Sequence, residues 1–340
     1  MIHIVFLSAL FFTIPELNKK YPFRFLTFAI LFLFMALRYD YGNDYMSYLD
    51  IHTSINAGLS AWGADDFLFR TLNIAIPNFF VLIALISLFY LIVVWYLIKN
   101  NLNVNQYWFA VLILLINPYI FLVQLSTLRQ TLALCFFVFA INFAVKRKLI
   151  PYVIFIFLAA GMHSSAIILL PLYFLLTEKP FSKKYVFGTM FFLGLLLFTP
   201  LFDIIANKLL EYLPNHYRYY YDQGLQNSIR ATIISSFFLF LIAFNLGKLK
   251  GKEIIYGKLS LISTILSVLA IKVSMITRVG MYFDLFLIIT IPNIFSRIEK
   301  KIYKQILFIA LIGIYLLRYY SFFTTPLWES FREYRTILGK

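Results

Sequence analysis

Long apolar stretches recur along this chain, separated by short polar links, and that rhythm restricts what it can fold into. A helix needs roughly 20 apolar residues to cross a hydrocarbon layer about 30 Å thick, because every backbone N–H and C=O must be satisfied within it. No stretch shows the sustained two-residue alternation of a membrane barrel. With 62% hydrophobic and 13% charged residues, the chain is expected to form an all-α, polytopic transmembrane helical bundle, a single integral membrane domain over 1–340. About twelve spans can be drawn, near 2–16, 23–37, 74–98, 107–126, 130–145, 150–162, 164–177, 185–203, 231–247, 257–277, 279–295 and 305–320. Those at 130–145, 150–162 and 164–177 are short enough to be tilted or re-entrant. The first run lacks a basic flank and a small-residue cleavage site, so it reads as a retained helix. Cys135 stands alone, which excludes an internal disulfide.

A formal charge of +15 would suggest nucleic acid in a soluble protein, but here its placement decides. Alternate links hold 18 of the 30 Lys and Arg but only four of the 15 acids. Positive residues stay in the cytoplasm. This side is therefore assigned inside, and both termini outside. The basic balance becomes a topology signal and a contact with anionic lipid, with no nucleic-acid partner. The outer side then carries three long segments, 38–73, 203–230 and 318–340, rich in aromatics such as Trp62, Tyr217, Tyr219, Tyr220, Tyr221 and Trp328. They read either as an interfacial aromatic belt or as stacking platforms for sugar rings.

Several outer-side groups bear chemistry. Arg38 to Tyr48 packs an Arg, two Asp and four Tyr directly behind an apolar run, with Gly42 allowing a tight turn before Asp44. The bland alternative is a surface loop whose acids cap the next helix, and Asp40 reads as that cap. Arg129-Gln130 occupies a very short link, where a charge near hydrocarbon needs a partner or must snorkel. His163 lies in the small turn Gly161-Met162-His163-Ser164-Ser165; it is either a satisfied structural histidine or a proton acceptor. Lys272 and Arg278 lie on another outer link, where Arg278 could equally pair with Asp284. Asn215-His216-Tyr217-Arg218-Tyr219-Tyr220-Tyr221 reads as an interfacial helix. A guanidinium grips phosphate oxygens bidentately and keeps its charge, so Arg38, Arg129 and Arg278 together suggest a diphosphate site. No His/Glu spacing suits a metal, and neither a phosphate-binding loop nor a Gly-x-Ser-x-Gly elbow occurs.

Arg38-Tyr39-Asp40-Tyr41-Gly42-Asn43-Asp44-Tyr45-Met46-Ser47-Tyr48, Leu128-Arg129-Gln130 with Leu132-Ala133, Gly161-Met162-His163-Ser164-Ser165-Ala166 before Pro171, and Arg278-Val279-Gly280-Met281-Tyr282 follow in order. In this combination the chain resembles the EpsG-like, Wzy-type polysaccharide polymerases, from about residue 20 to 320. The resemblance implies a GT-C-like glycosyltransferase architecture in the bacterial inner membrane, so that the outer side, where the charge count puts both termini, is the periplasm. It implies joining of undecaprenyl-diphosphate-linked oligosaccharide repeat units on the periplasmic face, for O-antigen, capsule or exopolysaccharide. No metal or other cofactor is then needed, and a chain-length regulator would be a natural partner beside the lipid bilayer.

The expected roles are Arg129 and Arg278 on the diphosphate, Arg38 as support or on a second phosphate, and Asp44 with His163 as catalytic groups at the acceptor hydroxyl. Tyr45, Tyr48, Gln130 and Tyr282 are expected to contact glycan. Two rival classes remain: a flippase or transporter of lipid-linked sugar, and a polysaccharide O-acyltransferase using His163 as base. Transporters usually repeat their halves and place polar groups at mid-membrane, whereas here the charges gather toward one face.

Overall fold

A computed structural model describes the chain except residues 16, 18–23, 60–64, 213–217, 219–220, 222–228, 274 and 340. Trp62, the tract 215–217, Tyr219 and Tyr220 therefore lie outside the described residues. The chain divides into two compact units, residues 1–176 with 309–340, and residues 177–308.

The first unit contains α1 (Ile2–Phe11), α2 (Arg24–Ala36), β1 (Arg38–Tyr39), α3 (Tyr45–Asn56), α4 (Phe67–Ala75), α5 (Phe79–Asn101), α6 (Tyr107–Ile116), α7 (Pro118–Phe121), α8 (Val123–Ser126), α9 (Leu128–Val145), α10 (Leu149–Met162) and α11 (Leu172–Leu175). Asn78 starts α5 by accepting from the Phe80 and Val81 amides at 3.0 and 3.1 Å. That is the Asx cap which Ile76-Pro77-Asn78 before an apolar run calls for. Between α6 and α8 the chain turns by 86° at Asn117-Pro118, because a proline nitrogen cannot continue the helical ladder. The buried Tyr90 hydroxyl braces this bend by donating to the Ile120 carbonyl at 2.6 Å. Thr131 ties the start of α9 back to α8, donating to the Gln124 carbonyl and side chain at 2.9 Å.

The second unit contains α12 (Lys183–Phe198), α13 (Leu201–Leu210), α14 (Ile229–Asn245), α15 (Lys252–Leu269), α16 (Ile276–Asp284) and α17 (Leu287–Ser296). Its polar contacts are local. Glu253 receives two bonds from Arg297 at 2.9 and 3.1 Å, Lys272 pairs with Asp203 at 3.5 Å, and Ser263 donates to Asp284 at 2.5 Å.

Helix α18 (Lys301–Thr324) leads into the C-terminal tail, where β2 (Arg335–Thr336) pairs antiparallel with β1, Arg38 opposite Thr336. Tyr334 stacks on Phe34 at 4.6 Å and donates to its carbonyl at 2.6 Å. Asn43 donates to the Leu327 carbonyl at 2.9 Å, and Phe331 is fully buried beside Tyr41. Of the segment 318–340, residues 325–339 are thus a strap across the loop 38–43. Trp328, read from the sequence as a platform or belt residue, stacks on Phe322 at 4.8 Å.

Among the described residues, four helices are long and apolar enough to span a membrane: Phe79–Asn101, Leu128–Val145, Ile229–Lys248 and Lys301–Thr324. There are up to seven spans if each of three bent pairs counts as one, and the shorter apolar helices Ile2–Phe11, Arg24–Ala36, Leu149–Met162 and Ser164–Leu175 fall on four more of the drawn runs, so helix length supports four to seven of the twelve. The apolar runs drawn at 107–126, 185–203 and 279–295 fall on those bent pairs. Breaks at Pro118 and Pro200, and between Asp284 and Leu287, split them into shorter helices.

Candidate functional site

The polar centre of the first unit is built where three chain segments end. Helix α10 stops at His163, whose extended backbone (φ −156°, ψ 111°) breaks the helix before a new turn begins at Ser164. Helix α9 begins at Leu128, which puts Arg129 in its first turn. Helix α4 begins after Asp66. Asp66 holds the capping position of α4, yet its carboxylate makes no capping bond there. It turns outward instead. Oδ2 accepts from Arg129 Nη1 at 3.0 Å, and Oδ1 accepts from the Ser164 amide at 2.9 Å. His163 Nδ1 lies 3.6 Å from Oδ2, past direct hydrogen-bond length but close enough for the ring and the carboxylate to feel each other.

Two packing details hold this arrangement. Gly161 lets α4 come close, since a β-carbon there would lie 2.7 Å from Leu68 Cγ. Gly161→Ala should therefore push α4 away, costing about 1–3 kcal/mol, and lower thermal stability and activity together. Adding Leu68→Ala should restore both, and failure of that rescue would break the link between this contact and the site. The second detail is Tyr48, whose buried hydroxyl approaches the Arg129 amide at 3.5 Å, one turn of α3 after Asp44. Burial raises the Tyr48 pKa, helped by the Asp44 charge and opposed by Arg129, so its hydroxyl stays protonated.

Burial by itself would raise the pKa of the Asp66 carboxyl. The adjoining His163 ring, the Ser164 amide and the Arg129 charge outweigh burial and hold it below the ordinary 3.8. A group with a depressed folded pKa contributes stability above its unfolded value and loses it as the pH falls through the folded value. The difference in Tm between the native protein and Asp66→Asn should then persist from about pH 7 down to 5 and close only below 3.8. A difference that vanished near pH 6 would assign the stabilisation to another group.

The residues expected from the sequence fall into three groups. Arg129 and His163 meet at Asp66. Asp44 is exposed at the start of α3, and it, rather than Asp40, occupies that helix's capping position. Asp40 lies in the turn ahead with a positive φ of 47°. Arg38 is 1% exposed. Its guanidinium donates to the Met35 carbonyl, to Ser87 Oγ at 3.3 Å and to the Leu125 carbonyl at 3.4 Å. Burial lowers its pKa to about 10, still well above neutrality. Of the two roles expected for Arg38, these surroundings fit support.

Tyr45 is buried and donates to the Arg38 carbonyl at 3.1 Å. Gln130 is buried in α9, and Tyr282 is buried in α16 of the second unit. Their rings and amide offer no open platform to a sugar in this conformation. Arg278 is exposed on α16, within the second unit. Asp66 was not anticipated as a site residue. In the sequence it is one of two acids, Asp65-Asp66, ahead of a helix, where a capping role is a sufficient explanation.

A model of the EpsG family matches residues 21–336. The chain belongs to the EpsG family. No curated protein and no solved structure matches it significantly. EpsG membership together with the apolar helices makes this a membrane protein with a polysaccharide-polymerase type of role. In this EpsG-family chain the match takes in Asp66, Arg129 and His163, and it also covers the tail as far as β2.

Proposed function

We propose that this EpsG-family protein is a glycosyltransferase of the bacterial inner membrane that joins lipid-diphosphate-linked oligosaccharide repeat units, undecaprenyl diphosphate being the carrier, on the periplasmic face. The observation that carries this reading is the Asp66 carboxylate held between Arg129 and His163 at one end of three apolar helices. The acceptor hydroxyl oxygen attacks the anomeric carbon of the donor, and the bond from that carbon to the diphosphate oxygen breaks. The lipid diphosphate leaves with the electron pair, and the hydroxyl proton passes to His163 Nε2. Negative charge grows on the diphosphate as the bond breaks, so a fixed Arg129 cation binds the transition state better than the ground state. Asp66 keeps the imidazole oriented with its Nδ1 side inward, leaving Nε2 as the base. Asp44, exposed one helical turn before Tyr48, orients the acceptor.

Purified protein in lipid nanodiscs, given a synthetic lipid-diphosphate repeat unit, should make a ladder of polymer. Arg129→Ala should cut the rate by about 10²-fold or more, and Arg278→Ala tests the second arginine in the same assay. A protein that moves the repeat unit across vesicles without lengthening it would be a flippase. Arg129→Ala working at the native rate with a normal Tm would remove the arginine from the chemistry.

A further inference from the structure

The helices that hold the polar cluster also wall an apolar groove of about 210 Å³. Leu72 of α4 and Ile76 just past its end, Leu85 and Phe89 of α5, and Leu132 and Phe136 of α9 line it, and every lining side chain is apolar. Leu132 and Phe136 follow Arg129 by three and seven residues, the spacing that puts all three on one helix face. At 1.5 Å rise per residue they lie roughly 4.5 and 10 Å along α9 from Arg129. Met162, also in the lining, directly precedes His163, and α4 starts directly after Asp66. The groove therefore starts within one helical turn of the cluster and runs away from it down the same stripe.

Such a shape suits an amphiphile with its anionic head at Arg129 and its hydrocarbon chain below. A cavity of about 150 Å³ holds a benzene, so this groove holds a segment on the order of eight carbons. Resting on the reading above, we propose that the groove seats the first isoprene units of the polyprenyl diphosphate carrier. The chain enters sideways from the bilayer, because Leu85 at the rim is 46% exposed. Its passage along α9 sets the position of the diphosphate beside Arg129.

The test uses the full chain in nanodiscs with a long polyprenyl diphosphate carrying a photoreactive diazirine in its second isoprene unit. Adducts should concentrate on peptides containing Leu85, Phe89 and Phe136. Leu85→Trp, which fills the rim, should reduce them about tenfold, and Phe89→Trp serves as an independent blocking variant. Unlabelled polyprenyl diphosphate should compete, and phosphatidylglycerol should not. Adducts spread over the exposed faces of α1 and α18, or equal competition by phosphatidylglycerol, would make the groove an ordinary lipid-facing surface and overturn the proposal. Groove adducts in a protein that makes no polymer would remove the polymerase reading and leave the groove standing. Polymer made without groove adducts would remove the groove alone.

Discussion

Asp66→Asn should abolish all but about a hundredth of polymer formation while the protein still folds. The substitution keeps shape and removes charge, so what it tests is the carboxylate's electrostatic work. Asp66 faces Arg129 Nη1 at 3.0 Å with both side chains largely out of solvent, 6% and 18% exposed. Removing one member of such a pair costs about 3–5 kcal/mol when burial is complete. Here the partly exposed Arg129 recovers some of that through water. The amide also places an N–H toward a guanidinium or toward the Ser164 amide, both donors, so one contact becomes repulsive in either orientation. A cycle with Arg129→Gln separates structure from chemistry. If the two residues act as one unit, the double variant should be no less active than either single variant, with a coupling of about 1–3 kcal/mol in Tm-derived stability. Native-rate polymerisation by Asp66→Asn would end the role given to this carboxylate.

Arg129 and His163 could be found from sequence because each is a polar residue in a link too short to be a free loop, between apolar runs that cannot satisfy it. Asp66 could not, because Asp ahead of a helix has a sufficient local explanation as a cap. Only the tertiary approach of α10, permitted at Gly161, reveals that its carboxylate points elsewhere. Arg38 shows the converse. A charge at the rim of an apolar run reads as a ligand-facing group, yet the bend at Asn117-Pro118 precedes the segment that brings the Leu125 carbonyl to it, and Ser87 comes from α5. Hydropathy marked most apolar runs correctly, but it cannot see where a proline turns one run into two short helices.

Deleting residues 325–340 should lower both thermal stability and polymer yield, the latter by about tenfold. The strap touches the loop 38–43 through backbone pairing at Arg38 and Tyr39, through Asn43, and through the aromatic set Phe34, Tyr41, Phe331 and Tyr334. Burying Phe331 contributes about 1.5–3 kcal/mol, and the Tyr334–Phe34 stack adds about 0.5–1.5 kcal/mol. Gly42 stands at φ 113°, a conformation that side chains resist, with its missing β-carbon 2.7 Å from Ser126 Oγ. The loop is thus clamped between α8 and the strap, and it leads directly into Asp44 and α3. Loss of the clamp should loosen Tyr48 against Arg129 without touching the cluster itself. Phe331→Ala should reproduce part of the stability loss, and Asn43→Ala should affect activity more than Tm. If the shortened chain keeps its native Tm and full polymer length, the strap does not position the Asp44 loop, and α3 is held by its other contacts, with α4, with Phe79 and with the Arg129 amide.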